Sequence, residues 1–138
     1  MPEFVRLVLG ESARENPGLS EETVTHLARR YGSRAGRVIA LTIEDRALGR
    51  PLGPGLPDIE AEVLFAARSD DARSLGDVFI RRMHLFWQAP DQGEGAMERS
   101  GDLLARELGW SREQRQASLD DYSREVARSR EWSVKTGN

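Results

Sequence analysis

Apolar residues in this chain recur at three- and four-residue spacing almost throughout, and no useful length alternates with the two-residue period of a half-buried strand. That periodicity restricts the chain to packed helices. Ser20 is suited to an N-cap, and Val24, Leu27, Ala28 and Tyr31 follow at i, i+3, i+4 and i+7 before Gly32. A second helix starts near Ser33, carries Ala35, Val38, Ile39 and Thr42 on one face, and ends between Asp45 and Gly49. Asp58 caps a third helix over about 59–69, apolar on nearly every side (Ile59, Val63, Leu64, Phe65, Ala66, Ala67), as a central helix is. Ser74 opens a fourth, with Asp77 as a shortened capping box, running through Leu75, Val78, Phe79, Met83 and Phe86 to about Trp87. Ala89-Pro90-Asp91-Gln92-Gly93 breaks it. A fifth helix, about 95–108, aligns Met97, Leu104 and Leu108 and stops at Gly109. Ser111-Arg112-Glu113-Gln114 is a complete capping box for a sixth, about 112–130, with Leu119, Tyr122 and Val126 inward. The expected fold is all-α, a compact bundle of about six helices.

The stretch Gly49-Arg50-Pro51-Leu52-Gly53-Pro54-Gly55-Leu56-Pro57 is too rich in proline and glycine for helix or central strand, and reads as the seam between two helical halves. Asn16-Pro17-Gly18 is a turn. Residues 1–19 are therefore expected to be an N-terminal linker or extension, 20–132 the helical domain, and 133–138 a flexible tail.

Composition removes several classes of chemistry. At 138 residues the chain can bury roughly two-thirds of its unfolded surface without a metal or disulfide staple. It has no cysteine, which excludes disulfides, thiol nucleophiles, zinc ribbons and iron–sulfur ligation. With only His26 and His84, a metal site would have to be built mostly from carboxylates, and none is expected. No apolar run reaches the roughly 20 residues of a membrane span, and the start lacks a signal-peptide core, so a soluble cytoplasmic protein is expected. Twenty basic residues against 23 acidic ones, interspersed, leave a net charge of −3 and no basic stripe for a duplex, so no nucleic-acid partner is expected. A helix-turn-helix using residues 102–130 is disfavoured for the same reason. Nineteen of the twenty basic residues are arginine, which compositional bias explains more simply than anion binding.

Catalytic signatures are missing. The glycines at 49, 53 and 55 lie in a proline loop with no preceding strand to make a phosphate cradle, and there is no Gly-x-Ser-x-Gly, His-Glu-x-x-His or EF-hand loop. One constellation stands out. Glu62 falls among Ile59, Val63 and Ala66, and Arg82 falls on the inward stripe Leu75–Val78–Phe79–Phe86, so an interior Glu62–Arg82 ion pair joining the two central helices is expected. Arg81 lies to one side, within reach of Asp77 at i−4. Trp110 is expected to seal a helix end, whereas Trp87 is equally suited to sealing and to anchoring a partner.

Taken in order, Tyr31-Gly32, the 51–57 loop, Ala61-Glu62-Val63, Ala66-Ala67-Arg68, Ser74-Leu75-Gly76-Asp77-Val78, Arg81-Arg82 and Leu108-Gly109-Trp110-Ser111 resemble the C-terminal helical domain of FAD-dependent glycerol-3-phosphate dehydrogenases. The resemblance spans about residues 20–132 and is most specific where Ala-Glu-Val precedes Leu-x-Asp-x-x-x-Arg-Arg; Met83 stands where many relatives have threonine or serine. It implies a cap on an enzyme that oxidises sn-glycerol 3-phosphate to dihydroxyacetone phosphate and passes electrons to a quinone or, in oxidase relatives, to oxygen. That family's dinucleotide fingerprint and substrate contacts lie N-terminal to the cap, so no catalytic or cofactor-binding residue carries over and FAD is expected in the parent only. Glu62, Asp77, Arg81 and Arg82 carry over as residues for integrity or docking. The implied partner is the FAD-binding body, with a homodimer as a further possibility and the parent peripheral on the inner membrane face. Trp87, Phe65 and Arg81 are the expected docking face. A free-standing interaction module derived from such a cap is the rival reading.

Overall fold

The structure, a computed structural model, describes residues 18–135 together with the isolated Glu3. Most of the expected N-terminal extension, and residues 136–138 of the expected tail, lie outside the described residues. The described chain is all-α. Its six α-helices are α1 (Glu21–Tyr31), α2 (Ala35–Glu44), α3 (Glu60–Ser69), α4 (Leu85–Gln88), α5 (Met97–Leu108) and α6 (Arg112–Lys135), with a π-helical segment at Asp77–Arg82. Two compact units divide between Phe65 and Ala66, inside α3 and not in the proline loop.

In the first unit Ser20 caps α1 by accepting from Thr23 N at 3.1 Å, and Gly32 ends it at φ +55°. Val24, Leu27 and Ala28 of α1 and Ala35, Val38 and Ile39 of α2 are buried, the faces their spacing predicts. The proline loop folds back on itself: Leu52 N donates to Asp58 O at 2.9 Å, Glu60 N to Arg50 O at 3.0 Å, and Pro51 and Ile59 form an antiparallel bridge. Those bonds make the loop part of the first unit, which is why the boundary falls beyond it.

In the second unit Ala72 N reaches back to Ala66 O at 3.1 Å, closing α3 through Asp71 in the left-handed region. The capping box of α6 is reciprocal, with Gln114 N on Ser111 Oγ at 3.1 Å and Ser111 N on Gln114 Oε1 at 2.7 Å. α6 continues to Lys135, past the end its apolar spacing suggests. Leu119, Tyr122 and Val126 are its buried residues, and the Tyr122 ring meets Phe79 edge-on at 5.3 Å while its hydroxyl donates to Gln92 O.

The fourth predicted helix is the one the structure corrects. Met83 N bonds Val78 O at 2.8 Å, an i→i+5 closure, and His84 then turns left-handed at φ +62° before α4. An uninterrupted α-helix would carry the stripe from Leu75, Val78 and Phe79 to Arg82. The extra residue per turn gives that inward place to Met83, which is fully buried, and turns Arg82 out to solvent.

Gly93 sits at φ +84°, where an added Cβ would lie 2.9 Å from the Phe79 ring. Gly93→Ala should therefore cost about 2–4 kcal/mol from left-handed strain and overpacking together, read as a lower urea midpoint at unchanged m-value.

Candidate functional site: a buried carboxylate network

The last turns of α1 and the entry to α3 bring five polar side chains together within the first unit. On α1, His26 and Arg30 share a face at i, i+4 and Tyr31 follows; Asp58 and Glu62 repeat the i, i+4 spacing across the start of α3. Glu62 has no solvent exposure. Its Oε1 accepts from Tyr31 OH at 2.9 Å and Arg30 Nη1 at 3.1 Å, and lies 3.1 Å from His26 Nε2. Its Oε2 accepts from the backbone N–H of Ile59 at 2.8 Å, as a carboxylate at the third position of a helix does. Asp58 Oδ2 accepts from the same Arg30 Nη1 at 2.9 Å and lies 3.7 Å from His26 Nε2.

Charge and burial act against each other here. Burial alone would lower the Arg30 pKa, but the facing carboxylates of Glu62 and Asp58 outweigh it and leave it raised. Burial, and then the charge of Glu62, push the Tyr31 phenol up, so it stays protonated and donates. Burial, and then Glu62, raise Asp58 above its ordinary 3.8, with His26 and Arg30 opposing.

His26, Asp58 and Glu62 each present a ligand atom within 4.8 Å of the others, a donor set of the kind that binds a divalent cation. Arg30 already supplies a cation to both carboxylates, and both Glu62 oxygens hold hydrogen bonds. A metal ion would have to displace the guanidinium, so the group reads as a structural ion network. Phe65, the next turn of α3, stacks edge-on against Tyr31 at 5.4 Å and lies under the Arg34 guanidinium at 4.8 Å.

Glu62 is thus interior, but the expected pairing with Arg82 is not what the structure holds. Arg82 is exposed and donates to Asp70 O at 3.1 Å, because the π-helical turn has rotated it outward. Phe65, expected on a docking face, is only 3% exposed. Asp77 accepts from Arg73 N at 3.0 Å and from Arg81, the i−4 contact anticipated. Trp110 is half-buried, while Trp87 is 67% exposed with its ring edge-on to Phe86 at 4.7 Å. Sequence reasoning missed Arg30 and the joint role of His26, Tyr31 and Asp58. The matching i, i+4 pairs, His26/Arg30 and Asp58/Glu62, are the signal that could have found them.

Glu62→Ala should destabilise by about 3–5 kcal/mol, because Tyr31 OH and Ile59 N lose their acceptor and Arg30 loses one of its two carboxylates, whereas Arg82→Ala should stay within about 1 kcal/mol; urea denaturation of both variants separates the two. The raised Asp58 pKa means the folded state holds that proton more tightly than the unfolded chain. Its contribution is fully present below 3.8 and is lost as pH rises through the raised folded value. The stability of the parent minus that of Asp58→Asn should therefore fall as pH climbs from about 4, measured by denaturation across pH.

The family profile of the C-terminal domain of alpha-glycerophosphate oxidase matches residues 6–115. A glycerol-3-phosphate dehydrogenase of Synechocystis is 33% identical over 81% of this chain and 21% of the relative. A mitochondrial glycerol-3-phosphate dehydrogenase of Arabidopsis thaliana is 30% identical over 85% and 19% respectively, and the mitochondrial enzyme of Mus musculus 32% identical over 88% and 16%. The chain thus spans about a fifth of the length of these relatives. No solved structure matches it significantly. With four-fifths of its length inside the profile, the chain belongs to the family of C-terminal domains of alpha-glycerophosphate oxidases.

Proposed function

We propose that this chain is the non-catalytic C-terminal cap of an FAD-dependent glycerol-3-phosphate dehydrogenase. The parent would oxidise sn-glycerol 3-phosphate to dihydroxyacetone phosphate and pass the electrons to a quinone. The observation that carries this reading is the profile match over residues 6–115, in a chain equal to about a fifth of its relatives. When bound in the body, FAD supplies the electron acceptance. Among the described residues nothing offers FAD a cradle: Gly53 and Gly55 lie in a self-bonded loop bridged at Pro51 and Ile59, Gly49 just precedes it, and no described strand feeds them. We therefore assign the cap no step in the chemistry.

Its role is to pack on the flavin-bearing body and help exclude water from the reacting region. Glu62 holds the cap's first unit together, and the second unit supplies the docking residues. Trp87 is the anchor, with the exposed Arg81, tied to Asp77, six residues before it; Arg82 and Trp110 complete the docking set. An indole left 67% exposed just after a left-handed turn is a large apolar surface that the described residues leave uncovered. No described helix is long and apolar enough to cross a membrane. A cytoplasmic parent, peripheral on the inner membrane face and dimeric, is the arrangement we favour.

An antibody against this chain should detect a band several times larger than 15.5 kDa in extracts of the source organism. A band at 15.5 kDa would instead mark a free-standing interaction module. In the parent, Trp87→Ala should remove about 2 kcal/mol or more of cap–body stability and lower glycerol 3-phosphate oxidation, while melting of the isolated cap stays unchanged. Full activity and an unchanged parental Tm would sink the docking assignment.

A further inference from the structure

A groove of about 420 Å³ runs beside the C-terminal end of α2 in the first unit, walled by Leu19, Thr42, Gly49 and Pro51 and flanked by Arg46 and Arg50. Both guanidinium groups are exposed, and among the described residues neither has a hydrogen bond, ion pair or ring contact. The nearest acids in sequence do not line it: Asp45 is turned onto its own backbone, accepting from Ala47 N at 3.0 Å, and Glu44 lies outside the walls. The backbone carrying the two arginines is fixed. Arg46 opens a 3-10 turn that Leu48 N closes onto Asp45 O at 3.0 Å, and Arg50 is held by its N–H on Ala47 O and its carbonyl under Glu60 N.

A larger groove in the second unit makes the contrast. It holds Arg81, Arg124 and Arg128, but each is bonded to a nearby carboxylate, of Asp77, Asp121 and Glu125. An anion entering there would have to break a pair; one entering beside Arg46 and Arg50 would not. In a chain of net charge −3, two uncompensated guanidinium groups on one groove form a local reversal of sign.

We propose that the Arg46–Arg50 groove binds a phosphate group, free or as a small monoester. Two guanidinium forks on separate backbone positions can engage different oxygens of one tetrahedral dianion, whereas a single fork already satisfies a carboxylate. Leu19 and Pro51 supply apolar surface for a short organic substituent. This site is independent of the cap assignment and requires no parent enzyme.

The test is an NMR titration of the arginine Nε–Hε groups of the full chain with inorganic phosphate near pH 7.5, at fixed ionic strength with chloride as the exchanged ion. Arg46 and Arg50 should shift together along a saturating curve with half-saturation in the ~mM range. R46Q and R50Q should each weaken it about tenfold or more, while R124Q leaves it unchanged. Both positions are exposed, so thermal melting of the variants should match the parent and exclude a folding effect. Tighter binding of methyl phosphate than of inorganic phosphate assigns the site to a monoester, and the reverse to free phosphate; either supports it. A linear drift without saturation, acetate binding as tightly as phosphate, or R46Q/R50Q double-variant binding within about twofold of the parent would overturn it.

Discussion

A carboxylate with no access to water governs the first half of this chain. Glu62 is buried together with part of Asp58's charge, and the interior solvates such groups only if every lone pair finds a donor. The donors come from three sources: a guanidinium and a phenol on α1, and the backbone N–H of Ile59 immediately before α3. The angle and register between α1 and α3 must satisfy all of them at once. Thr23 reinforces the same junction by donating to Pro57 O at 3.1 Å, so the proline loop is clamped where it delivers Asp58. Against a total stability of about 5–15 kcal/mol for a domain, one such network specifies a single packing of these helices.

The second unit relies on a backbone device. Two adjacent arginines follow an apolar stripe, and an α-helix would force one of them inward. The π-helical closure from Val78 to Met83 adds a residue to the turn, seats a methionine in the core and leaves both arginines outside. The left-handed His84 then restarts the chain as α4, with Leu85 and Phe86 buried and Trp87 facing solvent. The strained turn and the exposed indole have one origin. Once Met83, Leu85 and Phe86 all occupy the core, the next residue has nowhere to go but out.

How much of this could be read beforehand depends on the range of the interaction. The Ser20 cap, the Ser111–Gln114 box and the stop at Gly109 are local chemistry and emerge where the sequence predicts them. The inward character of Glu62 follows from its neighbours Ile59, Val63 and Ala66. Its partner does not, because Arg30 is 32 residues away, and periodicity alone places Arg82, not Arg30, on an inward stripe. His26 is similar: its i, i+4 spacing to Arg30 marks a polar face on α1 but does not say that the ring will meet a carboxylate 36 residues further on.

The family resemblance was legible because ordered segments such as Ala61-Glu62-Val63 and Leu75-x-Asp77-x-x-x-Arg81-Arg82 survive as sequence even where their roles are tertiary. The sequence by itself determined the helical class, the caps and the membership of the chain in its family, since apolar period and capping residues act within one or two turns. Tertiary structure alone decided which charges meet, where the π-helical turn falls and that the proline loop closes on itself. Those outcomes depend on desolvation and packing between segments distant in the chain, and a buried charge takes whichever donors the assembled helices bring to it.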